Sequence, residues 1–266
     1  MIYVEPRAGL SNRMRVIASA YNLSKKYNTK MIVLWRVSKG LNASFYSLFK
    51  PIKNLEVKES KHKLSILFAL CAIKANRYYK NISMNTDIGR LEKNLEQGKD
   101  VYICTVHQFS DVGHYDIFHP IESIERKAQY LIDKITDDTI GVHIRRTDNT
   151  KAIERSPVEL FTKRMDEKMK NCLHVSFYLA TDSGEINKYL KNRYKERILS
   201  AANIKLERSS QEGMEGALID LICLSKCKVI LGSYYSSFSE IAAEWGNREL
   251  YILDKKCEVM LYEKGL

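Results

Sequence analysis

The chain has 266 residues, 45% of them hydrophobic and 28% charged, with a formal net charge of +11. That balance excludes a disordered or fibrous chain and leaves room for one large domain or two modest ones. The excess of Lys and Arg points to an anionic partner, whether a phosphorylated ligand, a membrane surface or a nucleic acid.

Ile2-Tyr3-Val4 reads as a short strand, followed by the turn Glu5-Pro6-Arg7-Ala8-Gly9-Leu10-Ser11-Asn12. A helix is expected over about residues 13–27, with Met14, Ile17, Ala18, Tyr21 and Leu23 mostly on one face and Ser11 or Asn12 as its cap. Strand, glycine-containing turn and helix is an arrangement that cradles phosphate. Gly9 stands alone, however, where a dinucleotide fingerprint has three glycines. Met31-Ile32-Val33-Leu34-Trp35 completes a βαβ unit and implies a parallel sheet. Residues 38–63 mix loop, a short helix near 45–49 and an edge strand. Residues 63–79 read as a partly buried helix, and 99–106 as a strand with His107 at its end. His107, His114 and His119 fit no common zinc spacing.

An amphipathic helix over residues 121–135 then leads into Thr139-Ile140-Gly141-Val142-His143-Ile144-Arg145-Arg146-Thr147-Asp148. This stretch is an apolar strand ending abruptly in charge. In open α/β sheets, ligands bind outside the carboxyl ends of the strands. Two adjacent guanidiniums there suit a diphosphate, because each planar fork meets phosphate oxygens in pairs. The α/β alternation continues with a helix near 157–170, a strand at 175–180, helices near 185–194 and 216–225, a strand at 228–232, a helix near 236–245 and a strand at 249–253. Two further strand ends are polar: Thr181-Asp182-Ser183, and Gly232-Ser233-Tyr234-Tyr235-Ser236-Ser237-Phe238-Ser239. Serine hydroxyls and N–H groups at the start of the last helix suit a phosphate. A carboxylate at Asp182 suits the two donors on a guanine edge. The restart of the α/β pattern places a domain boundary near residue 120, giving segments 1–120 and 121–266.

Basic patches at residues 58–63, 74–80 and 188–197 are compatible with peripheral contact at an anionic membrane, although the apolar residues of 188–197 fall at helical spacing and read more readily as a solvated helix face. The 16 tyrosines are scattered rather than grouped into a stacking platform, which argues against a nucleic-acid-binding protein. The six cysteines form no Cys-x-x-Cys and suit a reducing compartment. The first residues lack the pattern of a signal peptide, so a cytoplasmic location is expected.

Three segments together, His143 to Asp148, Leu179-Ala180-Thr181-Asp182, and residues 217–225 running into 232–239, resemble the motifs of GDP-fucose-dependent fucosyltransferases. The likeness is nearest to the α-1,6-fucosyltransferase and nodulation-factor group. Gly9-Leu10-Ser11-Asn12-Arg13 is similar to the Gly-x-x-Asn turn of related enzymes. The resemblance implies a GT-B-like α/β architecture, two Rossmann-like domains with parallel sheets facing a central cleft. Residues 121–266 would bind the donor and residues 1–120 the acceptor side. It further implies transfer of fucose from GDP-fucose to a glycan or lipid-linked oligosaccharide hydroxyl, with inversion and with neither a bound metal nor another cofactor. Arg145 would bind the diphosphate, with Arg146 beside it. His143 and Asp182 would contact the nucleoside, and Ser236 and Ser237 the phosphates, with Gly9 and Asn12 on the donor as well. Glu154, one residue off the family spacing, would be the general base, with Asp148 as the second candidate. Asn149 stands where close relatives carry Lys. A different nucleotide sugar is the alternative substrate for the same residues.

Overall fold

The computed structural model describes residues 1–38, 40–60, 70, 73–111, 115–201 and 209–262. The chain divides into two units, Met1–Ile121 with Arg208–Met214, and Glu122–Glu207 with Glu215–Leu266.

In the first unit, β1 (Ile2–Pro6), β2 (Met31–Arg36), β3 (Leu55–Ser60), β4 (Tyr78–Lys80) and β5 (Val101–Thr105) form one parallel sheet in the order β3-β2-β1-β5-β4. Residues 31–35 and 101–105 are buried without alternation, as befits parallel strands covered on both faces. Helix α1 (Leu10–Lys26) returns the chain from β1 to β2, and α2 (Gly89–Glu96) precedes β5. The strand order reverses direction between β1 and β5.

Helix α1 starts at Leu10, three residues before the expected start. Ala8 makes the reversal with φ of 65°, so the helix can begin at once. Gly9 is its N-cap and no side chain caps it, while Ser11 and Asn12 lie inside the first turn. Residues 45–49 are a turn rather than the expected short helix. Phe45 is fixed there by ring contacts to Trp35 at 5.4 Å and Phe49 at 5.3 Å, and its N–H donates to Glu59 at 2.6 Å. Most of the helix expected at 63–79 lies outside the described residues, as do His114 and Cys71. Its described end is strand β4, paired with β5 instead.

In the second unit, α3 (Glu122–Ile132) precedes β6 (Thr139–Ile144). The chain continues through α4 (Thr150–Arg155), α5 (Val158–Asn171), β7 (Ser176–Thr181), α6 (Gly184–Tyr194) and β8 (Ile198–Leu199). It ends with α7 (Gln211–Lys226), β9 (Val229–Ser233), α8 (Ser237–Gly246), β10 (Glu249–Asp254) and β11 (Glu258–Leu261). The sheet order is β11-β10-β9-β6-β7-β8, parallel except for β11. One face of the sheet buries Val142, Ile144, Phe177 and Leu179 against Phe161 and Met165 of α5 and Leu190 of α6. Burying each such phenylalanine or leucine is worth about 1.5–3 kcal/mol. On the other face α7 lies hard against β6. A Cβ on Gly141 would stand 3.0 Å from Leu224 and 3.3 Å from Cys227. The order 9-6-7 means that the chain leaves β6 first toward β7 and later returns to its opposite side. In open α/β sheets such a reversal is where a ligand crevice forms, here at the carboxyl ends of β6 and β9.

Candidate active site

The carboxyl end of β6 delivers Arg145 into that crevice. Its residue exposure is only 7%. The backbone N–H of Arg145 donates to Ser233 Oγ on β9 at 3.0 Å, and Ser233 Oγ donates in turn to the His143 carbonyl at 3.3 Å. One hydroxyl thus stitches the two strands just past their last shared ladder position. The Arg145 guanidinium reaches Asp182 Oδ2 through Nη1 at 2.6 Å and Asp148 Oδ1 through Nη2.

Asp182 follows β7, the other neighbour of β6. Its two oxygens take the Arg145 ion pair, the Arg146 N–H at 2.7 Å, the Thr147 N–H at 3.3 Å and the Thr147 hydroxyl at 2.7 Å. A carboxylate offers about four acceptor positions, and four donors converge on this one. Burial pushes the Asp182 carboxyl up. Arg145, the Thr147 hydroxyl, the Arg146 N–H and His143 outweigh that, and hold it below the usual carboxylate range.

The two arginines part company. Arg146 Nη1 donates to the carbonyls of Arg145 and Ile153, both at 3.4 Å, and its Nη2 to the carbonyl of Ser156. Burial lowers its pKa from the ordinary value. Its guanidinium therefore closes the loop between β6 and α5. The Ser156 hydroxyl continues the brace, donating to Leu253 O and accepting the Tyr234 N–H at 2.7 Å. Arg155 forms a two-point ion pair with Asp254 and lies 4.0 Å over the Tyr234 ring. Asn149 caps α4 by accepting from the Ala152 N–H, and its Nδ2 donates to Tyr235 O at 2.8 Å. The loop after β6 and the turn after β9 are thereby fixed to each other.

His143 is buried on the same face of β6 as Arg145, with its ring stacked on Phe238 of α8 at 4.8 Å. Ser236 is the N-cap of α8 and its side chain makes no cap hydrogen bond; Ser237 is the first helical residue. The first N–H groups of such a helix have no intrahelical acceptor and attract anions. Arg145, His143, Asp182, Ser236 and Ser237 thus surround one set of strand ends. Asp148, 59% exposed, is occupied by Arg145. Glu154 is exposed on α4. Gly9 and Asn12 lie at the start of α1 in the first unit. His107 follows β5 there, its N–H donating to Thr105 Oγ1 at 3.1 Å.

Sequence reasoning missed Ser156, Arg155 and Asp254, and took Ser233 only as part of the polar run 232–239, not as the hydroxyl that joins β6 to β9. Apart from contacts within residues 146–156 and at the turn after β10, their partners lie 78 or more residues away, so no local signal shows what they bind. Among the described residues, no group of three or more His, Cys, Asp and Glu side chains is arranged to hold a metal. No helix among them is long and apolar enough to cross a membrane. The five described cysteines are free.

Neither a family model nor a curated protein sequence matches the chain. Solved structures do. The fucosyltransferase NodZ from Bradyrhizobium superposes with a TM-score of 0.64 over 98% of each chain, at 16% identity. A mutant of Arabidopsis thaliana FUT1 in complex with GDP gives 0.61 over 98% of this chain and 73% of that one, at 14% identity. POFUT1 in complex with GDP-fucose gives 0.57 over 93% and 94%, at 12% identity. The chain therefore has the GT-B-type fold seen in these fucosyltransferases, with two α/β sheets that are parallel but for the edge strand β11.

Proposed function

We propose that the protein is a glycosyltransferase that moves fucose from GDP-fucose to a hydroxyl of a glycan acceptor, inverting the anomeric centre. The observation that carries this reading is the buried Arg145 guanidinium at the β6–β9 reversal, aligned by Asp182 and flanked by the N-terminus of α8. A diphosphate leaving group develops charge as the sugar–phosphate bond breaks. A fixed guanidinium and helix N–H groups stabilise that charge without reorganising. No step of this scheme calls for a metal, since the cationic side chain does the work.

In this scheme Arg145 grips the diphosphate, and Ser236 and Ser237 bond its oxygens. His143 and Phe238 form an aromatic wall beside the nucleoside. Asp182 and Arg146 are positioning residues, one aligning the Arg145 fork and the other closing the loop behind it. Glu154 is the candidate base that takes the acceptor proton, because it is exposed and carries no ion pair among those seen in the structure. Asp148 is committed to Arg145 and is the weaker candidate. The structural neighbours in complex with GDP or GDP-fucose support guanine as the nucleobase and fucose as the sugar.

The test is a donor screen. GDP should raise the melting temperature more than UDP or ADP does, with no metal added. Released nucleotide should appear with GDP-fucose and an acceptor, but not with UDP-sugars. Equal stabilisation by all three nucleotides would remove the guanine assignment, and turnover of UDP-sugars alone would favour the alternative donor.

A further inference from the structure

The second unit carries a cationic cavity at the amino edge of its sheet, the edge opposite the donor candidates. We propose that Lys226, Lys228 and Arg248 form there a second anion site that holds a phosphate monoester. The site does not rest on the transferase reading.

Ile135, Thr136, Asp137, Lys226, Lys228 and Arg248 line a cavity of about 510 Å³. They belong to the segments that enter three neighbouring strands. Residues 135–137 lead into β6, Lys228 immediately precedes β9 and Arg248 immediately precedes β10, with β9 between the other two. The donor candidates lie at the far ends of the same strands, about 16 Å away along β6. Close packing fixes the rim of the cavity. Arg248 Nε donates to the Ser225 carbonyl at 3.1 Å, tying the turn after α8 to the end of α7. That turn reverses at Asn247 with φ of 51°. A Cβ on Gly246 would collide with the Ser225 carbonyl, so the two helix ends are in contact. On the other side, the Thr136 N–H donates to Thr139 Oγ1 and the Thr139 N–H to the Thr136 carbonyl, both at 2.9 Å, which closes the turn into β6.

Among the described residues, Lys226 and Lys228 make no ion pair, and the Arg248 side chain makes no hydrogen bond but the one from Nε. Asp137 lines the same cavity without pairing with any of the three. Glu249, next to Arg248 in sequence, accepts the Tyr251 hydroxyl at 3.1 Å instead. Three cations thus face one carboxylate, an excess of about two positive charges at neutral pH. The carboxyl-terminal dipole of α7 accounts for part of this charge, and it is met by Lys226 in the last turn and by Arg248 Nε on the Ser225 carbonyl. Lys228 lies outside the helix, and both Nη groups of Arg248 keep their donors unused. A guanidinium anchored through Nε with its Nη atoms open is prepared for the oxygens of a phosphate, and the two ammonium groups add compact point charges. A phosphate monoester brings about −1.5 to −2 charges and three acceptor oxygens at pH 7. That matches the excess, whereas a carboxylate with one charge does not. The ester can be a soluble one or the headgroup of an anionic lipid.

The experiment uses the full chain at low salt, with and without saturating GDP. Calorimetry titrates glycerol 3-phosphate, glycerate and glycerol, and sedimentation uses phosphatidylcholine vesicles with and without phosphatidate. Glycerol 3-phosphate should bind in the presence of GDP, about tenfold or more tighter than glycerate, and glycerol should not bind. Sedimentation with the phosphatidate vesicles alone assigns the lipid as the source, and binding of the soluble ester without sedimentation assigns the soluble one. Lys228→Gln and Arg248→Gln should each weaken the phosphate ester roughly tenfold or more, the worth of one charge-assisted hydrogen bond. Arg248→Lys should restore only part of the loss. Lys188→Gln, on the exposed face of α6, should change nothing. Thermal melting checks that each variant folds, and Lys228 is exposed, so its variant reads charge alone. Equal binding of glycerate or glycerol, binding that survives both pocket variants, an equal loss with Lys188→Gln, or displacement of glycerol 3-phosphate by GDP would each overturn the proposal. If GDP itself does not bind, the donor reading fails, and the pocket variants still decide this site.

Discussion

Asp182→Asn separates two roles for that residue, aligning Arg145 or reading the guanine edge. The carboxylate takes four donors at 2.6, 2.7, 2.7 and 3.3 Å while only 13% exposed. Asparagine keeps one carbonyl oxygen, with two acceptor positions, and turns an NH₂ group toward donors. At least one ion pair and one hydrogen bond are lost. Removing one partner of a buried pair costs about 3–5 kcal/mol. Asp148 retains a hold on Arg145 here, so we expect the low end, about 3 kcal/mol. At about 2–4 °C per kcal/mol for a chain of this size, the melting temperature should fall by about 6–12 °C.

The pH dependence has a definite sign. The folded Asp182 carboxyl sits below its unfolded value. Its stabilisation is therefore fully present above the unfolded pKa of about 3.9 and is lost as pH falls through the folded value. Asp182→Asn should remove that acid-side loss. The functional arm compares GDP, UDP and ADP by calorimetry at a temperature where the variant is folded. If Asp182 positions Arg145, all three nucleotides weaken by one common factor, about tenfold for each 1.4 kcal/mol of lost alignment. If it reads guanine, GDP alone loses its advantage. A variant with unchanged stability and unchanged GDP affinity would refute the reasoning outright.

Arg145→Ala should lower kcat with GDP-fucose by about 10²–10³, the usual loss of one charge-stabilising group. Circular dichroism should still show a folded chain, because Asp182 keeps three hydrogen bonds. Glu154→Gln, on an exposed turn of α4, should change stability by less than about 0.5 kcal/mol. It should depress kcat while leaving the GDP Kd alone; full activity would move the base elsewhere. Gly232→Ala would place a Cβ 2.6 Å from Ser239 Oγ and 2.9 Å from Leu250. It should cost about 1–3 kcal/mol by overpacking and, by displacing α8, weaken GDP in the same titration. Asp220 accepts from the Tyr178 hydroxyl at 2.8 Å, and burial pushes its carboxyl up to about 7. A raised carboxyl destabilises the fold as pH climbs from about 4 toward that value. Urea midpoints should fall over this range for the native chain and stay flat for Asp220→Asn.

How much of the site was legible follows from how each residue is placed. Buried parallel strands are continuous apolar runs, so β1, β2, β6, β7 and β9 declared themselves, and with them the polar groups at their ends. Asp182 and Ser236 were found this way because a strand end is a local feature. The division of labour between Arg145 and Arg146 was not local. A strand sends successive side chains to opposite faces, so Arg145 follows His143 into the crevice while Arg146 turns to the far side. What waits there, the carbonyls of Ile153 and Ser156, depends on a loop path that two adjacent arginine letters do not encode. The same blindness hid Glu5, a buried carboxylate of β1 paired with Arg7 and Arg36. Arg13 reads as an ordinary helix residue and Arg36 as the polar end of a strand. Each becomes a buried or shared charge only because β2 and β5 flank β1 in register. Periodicity reports which face is apolar. It is silent on charges that fold inward together, and in each unit those charges gather where the strand order reverses.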